Sequence, residues 1–142
     1  MTELVDSKNG RGSNGTSRKR ILFVEDEEAI RLTLPQILAK YGFEVRVSGT
    51  LSDALAEIKS HSYDILVSDL NVSEINGGFA VVEEMHKLQP QCINFILTGS
   101  LTEEGTQVKA LGVAHYFMKP VEMKDLVHTI RQELHARDSG RL

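Results

Sequence analysis

Five short apolar runs, separated by segments with helical spacing, constrain the fold of this chain more than any other feature. Each run consists mostly of branched or aromatic side chains, which is typical of strands that are buried on both faces of a sheet. The five predicted strands are Ile21–Val24, Val45–Val47, Ile65–Val67, Phe95–Leu97 and Tyr116–Met118. Such runs predict a sheet that is covered on both sides.

Amphipathic helices are predicted between and after these strands, because apolar residues recur there every three or four positions. The first segment places Ile30, Leu34 and Ile37 on one face and stops before Gly42, a residue type that commonly ends helices. The predicted helices span Glu27–Tyr41, Leu51–Lys59, Phe79–Leu88, Glu103–Leu111 and Met123–Leu134. Pro35 lies inside the first of them, where it should cost about 3 kcal/mol or kink the helix.

Strict alternation of strand and helix predicts an α/β protein, a doubly wound five-stranded parallel sheet with helices on both faces. The 142 residues suffice for one such domain. Residues 8–17 are rich in glycine, serine and asparagine, so we expect a flexible N-terminal tail at 1–18. The domain is expected at 19–136 and a C-terminal tail at 137–142.

Composition excludes several classes of protein. The net charge of −4 argues against direct binding of nucleic acid, and the basic triplet Arg18–Arg20 is expected to be merely solvated. The chain has neither an apolar run of about 18 residues nor an N-terminal signal pattern. We therefore expect a cytoplasmic protein without membrane contact. Cys92 is the only cysteine, which rules out an intramolecular disulfide.

Ligands of parallel α/β sheets bind at the carboxyl ends of the strands, and the residues there are chemically coherent. Glu25 and Asp26 follow the first strand, Asp69 the third, Thr98 the fourth and Lys119 the fifth. Three carboxylates in a small volume repel one another unless a cation separates them, and their oxygen atoms suit Mg²⁺. Asp69 can act as a nucleophile toward a phosphoryl group, whose oxygens Lys119 and Thr98 would stabilise.

These residues resemble the receiver domains of two-component response regulators, with a layout similar to stand-alone receivers of the chemotaxis type. The resemblance covers roughly Arg20 to Leu134. It rests on four motifs in order: Val24–Glu27, Leu66–Asp69, Leu97–Gly99 and Tyr116–Pro120.

The resemblance implies the flavodoxin-like receiver fold and a role in a phosphorelay. Asp69 would accept a phosphoryl group from the phosphohistidine of a sensor histidine kinase or phosphotransfer protein. Mg²⁺ would be held by Glu25, Asp26, Asp69 and the backbone carbonyl of Asn71. The domain would not be an enzyme beyond loading and unloading its own phosphoryl group.

A switch is also implied by the resemblance: Thr98 would shift toward the phosphoryl group and Tyr116 would turn inward. The bond before Pro120 is expected to be cis. Two positions depart from the family pattern. Ser73 stands where proline is common, in a loop with apparently one extra residue, and Glu25 replaces a frequent aspartate.

Three other functions fit parts of the sequence. A phosphatase of the haloacid dehalogenase type needs a second aspartate at the position that Asn71 occupies. A nucleotide or flavin binder needs glycines where Glu25–Glu28 stand, and these acids repel phosphate. A receiver-like binding module that works without phosphorylation stays open.

No output domain is recognisable after the last predicted helix. The domain is therefore expected to dock onto a downstream effector protein that the sequence does not identify, to form a homodimer, or to pass the phosphoryl group onward.

Overall fold

The computed structural model of the protein describes residues 2–5, 18–99 and 112–140. Six strands are present in these ranges: β1 (Glu3–Val5), β2 (Arg20–Val24), β3 (Glu44–Ser48), β4 (Ile65–Asp69), β5 (Ile93–Thr98) and β6 (Val113–Met118). They form one sheet in the order β1-β3-β2-β4-β5-β6, and all neighbours except β1 and β3 are parallel. The α/β fold predicted from the sequence is confirmed, with six strands instead of five.

The described helices are α1 (Glu28–Arg31), α2 (Leu34–Lys40), α3 (Leu51–Ser60), α4 (Gly77–Leu88) and α5 (Met123–Asp138). The helix predicted at Glu103–Leu111 lies outside the described residues. Within the described ranges, the helices are too short or too polar to cross a membrane.

Two hydrophobic clusters cover the two faces of the sheet, because successive strand side chains point to opposite sides. Phe23 of β2 enters a cluster with Ile130 of α5, to which α2 also contributes. Its neighbour Leu22 enters the other cluster with Met85 of α4, to which α3 contributes. All four side chains are fully buried, and each such burial contributes about 1.5–3 kcal/mol. Helices therefore lie on both faces, as predicted.

Strand β1 lies within the range that was predicted to be an N-terminal tail. Residues 3–5 pair antiparallel with β3, with Leu4 opposite Arg46, and the Thr2 hydroxyl forms a hydrogen bond with the Ser48 hydroxyl. The sequence pattern missed this strand because backbone pairing with an open sheet edge needs no apolar periodicity. Residues 6–17 of the predicted tail are outside the described ranges.

The helix predicted at Glu27–Tyr41 is divided into α1 and α2. Pro35 causes the division, because its ring would clash with the carbonyl of Arg31, four residues earlier, and it has no N–H to donate. The chain bends at Leu32 and Thr33, and Pro35 becomes the second residue of α2, where a missing N–H costs no helical hydrogen bond.

Ion pairs join the end of α5 to residues that precede β2 and β4 in the sheet. Lys19 lies 2.9 Å from Asp138, so this member of the basic triplet is anchored instead of merely solvated. Arg137, whose side chain is 11% exposed, lies 2.9 Å from Asp64. These contacts explain why α5 continues to Asp138, beyond the predicted end at Leu134 and into the predicted C-terminal tail.

Candidate functional site

Four neighbouring strands end at the same edge of the sheet, and the chemically active side chains gather there. Glu25 follows β2, Asp69 ends β4, Thr98 ends β5 and Lys119 follows β6. The backbone N–H of Lys119 donates to the carbonyl of Thr98 at 2.8 Å, which fixes the start of the next loop. The bond Lys119–Pro120 is cis, as expected.

Lys119 forms two ion pairs with the acidic side chains. Its Nζ lies 2.6 Å from Asp69 Oδ1 and 3.2 Å from Glu25 Oε1. Burial alone would lower the pKa of this ammonium group, but the hydrogen bond to Asp69 and the charges of both carboxylates outweigh it and raise the pKa above its ordinary value. Lys119 is therefore a fixed positive charge beside Asp69 at neutral pH.

Glu25 is fully buried beside this lysine. Its Oε2 accepts a hydrogen bond from the Glu27 N–H at 3.1 Å, whereas its Oε1 has only the ion pair with Lys119 and no well-aligned hydrogen bond. Burial raises the pKa of Glu25, and the negative charge of Asp69 raises it further. The ionised carboxylate needs more positive charge than Lys119 alone supplies.

The carboxylates of Glu25, Asp26 and Asp69, hereafter the acidic trio, have oxygen atoms within 4.8 Å of one another. Three acidic side chains against the one lysine, Lys119, give the site a formal charge of −2. Carboxylate oxygens are the donors that Mg²⁺ prefers, and Glu25 Oε1 is buried without a hydrogen-bond partner. The residues present therefore fit a magnesium ion. Within the described ranges, no second group of this kind occurs.

Thr98 and Tyr116 lie on the same face of the sheet as diagonal neighbours. Thr98 is opposite Met118, and Tyr116 is opposite Ile96. Thr98 is 4% exposed. It ends β5 and lies at the same edge of the sheet as the acidic trio. Tyr116 is half-buried and packs against the hydrophobic cluster that contains Leu22 and Met85. Its hydroxyl oxygen is shielded from solvent.

The loop between β4 and α4 approaches the acidic trio closely. The Asn71 N–H donates to Asp69 Oδ2 at 3.2 Å, and the Asn71 side-chain oxygen accepts from the Asn76 N–H at 2.8 Å. A Cβ on either residue of Gly77–Gly78 would lie 2.0 or 2.4 Å from a backbone carbonyl oxygen. These glycines had no predicted role, although a glycine pair at the start of a helix signals such close backbone contact.

Comparison with known proteins identifies the family. A family model described as the response regulator receiver domain matches residues 21–131. A CheY-like receiver domain protein from Methanospirillum hungatei JF-1 has a TM-score of 0.81 and 31% identity, covering 87% of this chain and 98% of that one. The chemotaxis response regulator CheY4 of Vibrio cholerae has a TM-score of 0.72 and 26% identity, covering 82% and 99%. The chain belongs to the response regulator receiver domain family.

Curated relatives are longer than this chain. The transcriptional regulatory protein ZraR of Salmonella typhimurium is 30% identical over 123 residues, which cover 84% of this chain and 27% of ZraR. The regulator NtrC of Azospirillum brasilense is 30% identical over 122 residues, covering 84% and 25%. The chain thus spans about a quarter of these regulators.

Receiver domains interact with histidine kinases or phosphotransfer proteins and with effectors, and they generally bind Mg²⁺ at an acidic pocket. The chain is homologous to the receiver domains of transcriptional regulators and of CheY-like proteins. Some relatives carry enzymes as well, such as a protein-glutamate methylesterase of Rhodospirillum rubrum that is 31% identical over 106 residues, covering 71% of this chain and 28% of the relative.

Proposed function

We propose that Asp69 accepts a phosphoryl group from a phosphohistidine of a sensor histidine kinase or phosphotransfer protein. The observation that supports this most directly is the ion pair of Asp69 Oδ1 with Lys119 Nζ at 2.6 Å, beside the acidic trio. Asp69 is 8% exposed, so its side chain is held by the fold but can be reached by solvent at the carboxyl ends of the strands. The P–N bond of the donor breaks as an O–P bond to Asp69 forms.

Mg²⁺ would be held by Glu25, Asp26, Asp69 and the backbone carbonyl of Asn71. The ion supplies positive charge that neutralises the phosphoryl oxygens during transfer.

The chain's own residues supply the rest of the chemistry. Lys119 is protonated and already within hydrogen-bond distance of Asp69, so it can follow the negative charge from the carboxylate to a phosphoryl oxygen. Thr98 can donate its hydroxyl to a second oxygen. The Asn71 N–H on Asp69 Oδ2 keeps the carboxylate plane fixed. We propose no catalytic activity of the domain beyond this self-loading and the later hydrolysis of its own acyl phosphate.

The loaded state is proposed to change the surface around β6. Thr98 moves toward the phosphoryl group, and Tyr116 then settles into the space beside it, which the diagonal placement of the two residues supports. The changed surface docks an effector protein, a second copy of the chain or a further phosphotransfer protein. We place this exchange in the cytoplasm and without direct nucleic-acid contact, which the net charge of −4 disfavours.

Mass spectrometry of the intact protein tests this proposal. Incubation with Mg²⁺ and acetyl phosphate or phosphoramidate should add one phosphoryl group, which hydroxylamine removes because the product is an acyl phosphate. Asp69→Asn should abolish the adduct. Asp125→Asn, which changes an exposed aspartate in the first turn of α5, should load like the parent protein. An adduct that persists in Asp69→Asn, or no adduct in the parent protein, would disprove the proposal.

A further inference from the structure

Ser73 has a backbone conformation that distinguishes the loop after β4. Its φ is 65°, in the left-handed region that residues with a Cβ adopt only at a cost. Proline cannot stand there, because its ring fixes φ near −65°. The loop therefore has a different shape from one in which proline occupies this position, and the strained conformation must be held by contacts elsewhere.

Two hydrogen bonds hold Ser73 between a carboxylate of the acidic trio and helix α3. Its backbone N–H donates to Asp26 Oδ2 at 2.8 Å. Its side-chain Oγ accepts the backbone N–H of Leu51, the first residue of α3, at 2.9 Å. One residue thus connects the loop after Asp69 with the acid that follows β2 and with the start of a helix.

The contact with α3 follows from the chemistry of helix ends. The first N–H groups of a helix have no partner within the helix. The Thr50 hydroxyl accepts the Asp53 N–H at 3.0 Å, as an N-cap residue should, and Ser73 supplies the acceptor for Leu51 from outside the helix. The rigid end of a ten-residue helix is therefore an anchor for the loop.

Asp26 needs such support because it is exposed, unlike Glu25 and Asp69. An exposed carboxylate rotates freely unless a donor holds one of its oxygens. The Ser73 N–H donates to Asp26 Oδ2, which fixes the plane of the Asp26 carboxylate and leaves Oδ1 available to a cation. The anchor on α3 thus limits the motion of Asp26 through Ser73.

We infer that Ser73 is a positioning residue that orients Asp26 for the divalent cation by tying the β4–α4 loop to the start of α3. This inference rests on the proposed magnesium-dependent function of the acidic trio. It does not make Ser73 a ligand, since its Oγ is engaged by Leu51 and its N–H by Asp26.

Magnesium binding to the unphosphorylated protein, measured by isothermal titration calorimetry with MgCl₂, tests the inference. Ser73→Gly keeps the N–H and tolerates the positive φ but removes the Oγ anchor. One net hydrogen bond corresponds to a change of about 2- to 10-fold in an equilibrium constant, so the dissociation constant should rise by that factor. Amide hydrogen exchange at Leu51 should accelerate in the same variant.

Asn76→Gly is the matched control, because Asn76 lies in the same loop with a φ of 63° and its side chain caps nothing. It should bind Mg²⁺ within about 2-fold of the parent protein. Ser73→Asn should restore binding, since asparagine adopts positive φ readily and offers an oxygen acceptor to Leu51.

The outcomes distinguish a failure of the inference about Ser73 from a failure of the proposed function. If the parent protein binds Mg²⁺ and Ser73→Gly binds it as well as Asn76→Gly does, Ser73 does not position Asp26. Equal weakening in both glycine variants means that loop flexibility alone is responsible, which also overturns the inference. A parent protein that does not bind Mg²⁺ overturns the proposed function itself.

Discussion

Lys119→Met removes the ammonium group that pairs with Glu25 and Asp69 and keeps the length of the side chain. Glu25 has no exposed surface, so its carboxylate cannot regain water when the cation is lost. Breaking a buried ion pair costs about 3–5 kcal/mol. Because the Lys119 side chain is 20% exposed and solvent screens part of the interaction, we expect a loss of about 2–4 kcal/mol in the free energy of unfolding.

Urea unfolding followed by circular dichroism, in EDTA and in Mg²⁺, measures this loss. Lys59→Met is the control, since Lys59 is 65% exposed and lies 4.0 Å from Glu84; it should cost less than about 0.5 kcal/mol. Mg²⁺ at 100 times its dissociation constant adds about 2.7 kcal/mol to the stability of the native state. At the Mg²⁺ concentration that is about 100 times the parent protein's dissociation constant, Lys119→Met should gain more than the parent protein does, because its site is more negative by one charge and should bind Mg²⁺ more tightly.

Glu25→Gln combined with Lys119→Met should recover more than half of the lost stability, because it removes the unpaired buried charge. The reasoning fails if Lys119→Met costs no more than Lys59→Met in EDTA. It fails equally if the double variant is no more stable than Lys119→Met alone.

Two further predictions concern packing and a buried phenol. Gly78→Ala should lower the free energy of unfolding by about 1–3 kcal/mol, because its Cβ would lie 2.4 Å from the Asp69 carbonyl oxygen. Gly99→Ala is the control, since its Cβ would have no atom within 4 Å, and it should change the free energy of unfolding by less than about 0.5 kcal/mol. Urea unfolding measures both changes. Burial and the hydrogen bond to Glu57 raise the pKa of Tyr63. The neutral phenol therefore contributes fully to the free energy of unfolding at pH values below about 10, the pKa of tyrosine in the unfolded chain, and this contribution is lost as the pH rises further. Alkaline titration of tyrosinate absorbance should therefore show a component that appears only with unfolding, and Tyr63→Phe should reduce that component by one tyrosine.

Much of the fold was predictable because the spacing of apolar residues within a single segment indicates which of its faces is buried. The run Ile65–Val67 indicates a strand without any knowledge of its neighbours, and the spacing in Met123–Leu134 indicates a helix. The proximity of Asp69 and Lys119 follows from the same logic, since the carboxyl ends of parallel strands meet at one edge.

The remainder depends on contacts between distant segments. The three residues of β1 carry no recognisable pattern, and only the unpaired edge of β3 makes them a strand. The burial of Glu25 and the pKa shift that follows from it cannot be read from an acidic run of four residues. Ser73 departs from the family pattern, but its contacts with Asp26 and Leu51 are visible only in the structure.

The pairing of β1 with β3 also affects how the chain behaves in a crowded solution. An uncovered β3 would present the backbone donors and acceptors of Val45–Val47 to other molecules, and such edges are templates for aggregation. The N-terminal strand occupies these groups with a segment only three residues long, with Glu3 at its start and a half-exposed Leu4. A recombinant version shortened to residues 21–131, which match the family model, would lose this protection, so the first five residues should be kept for expression.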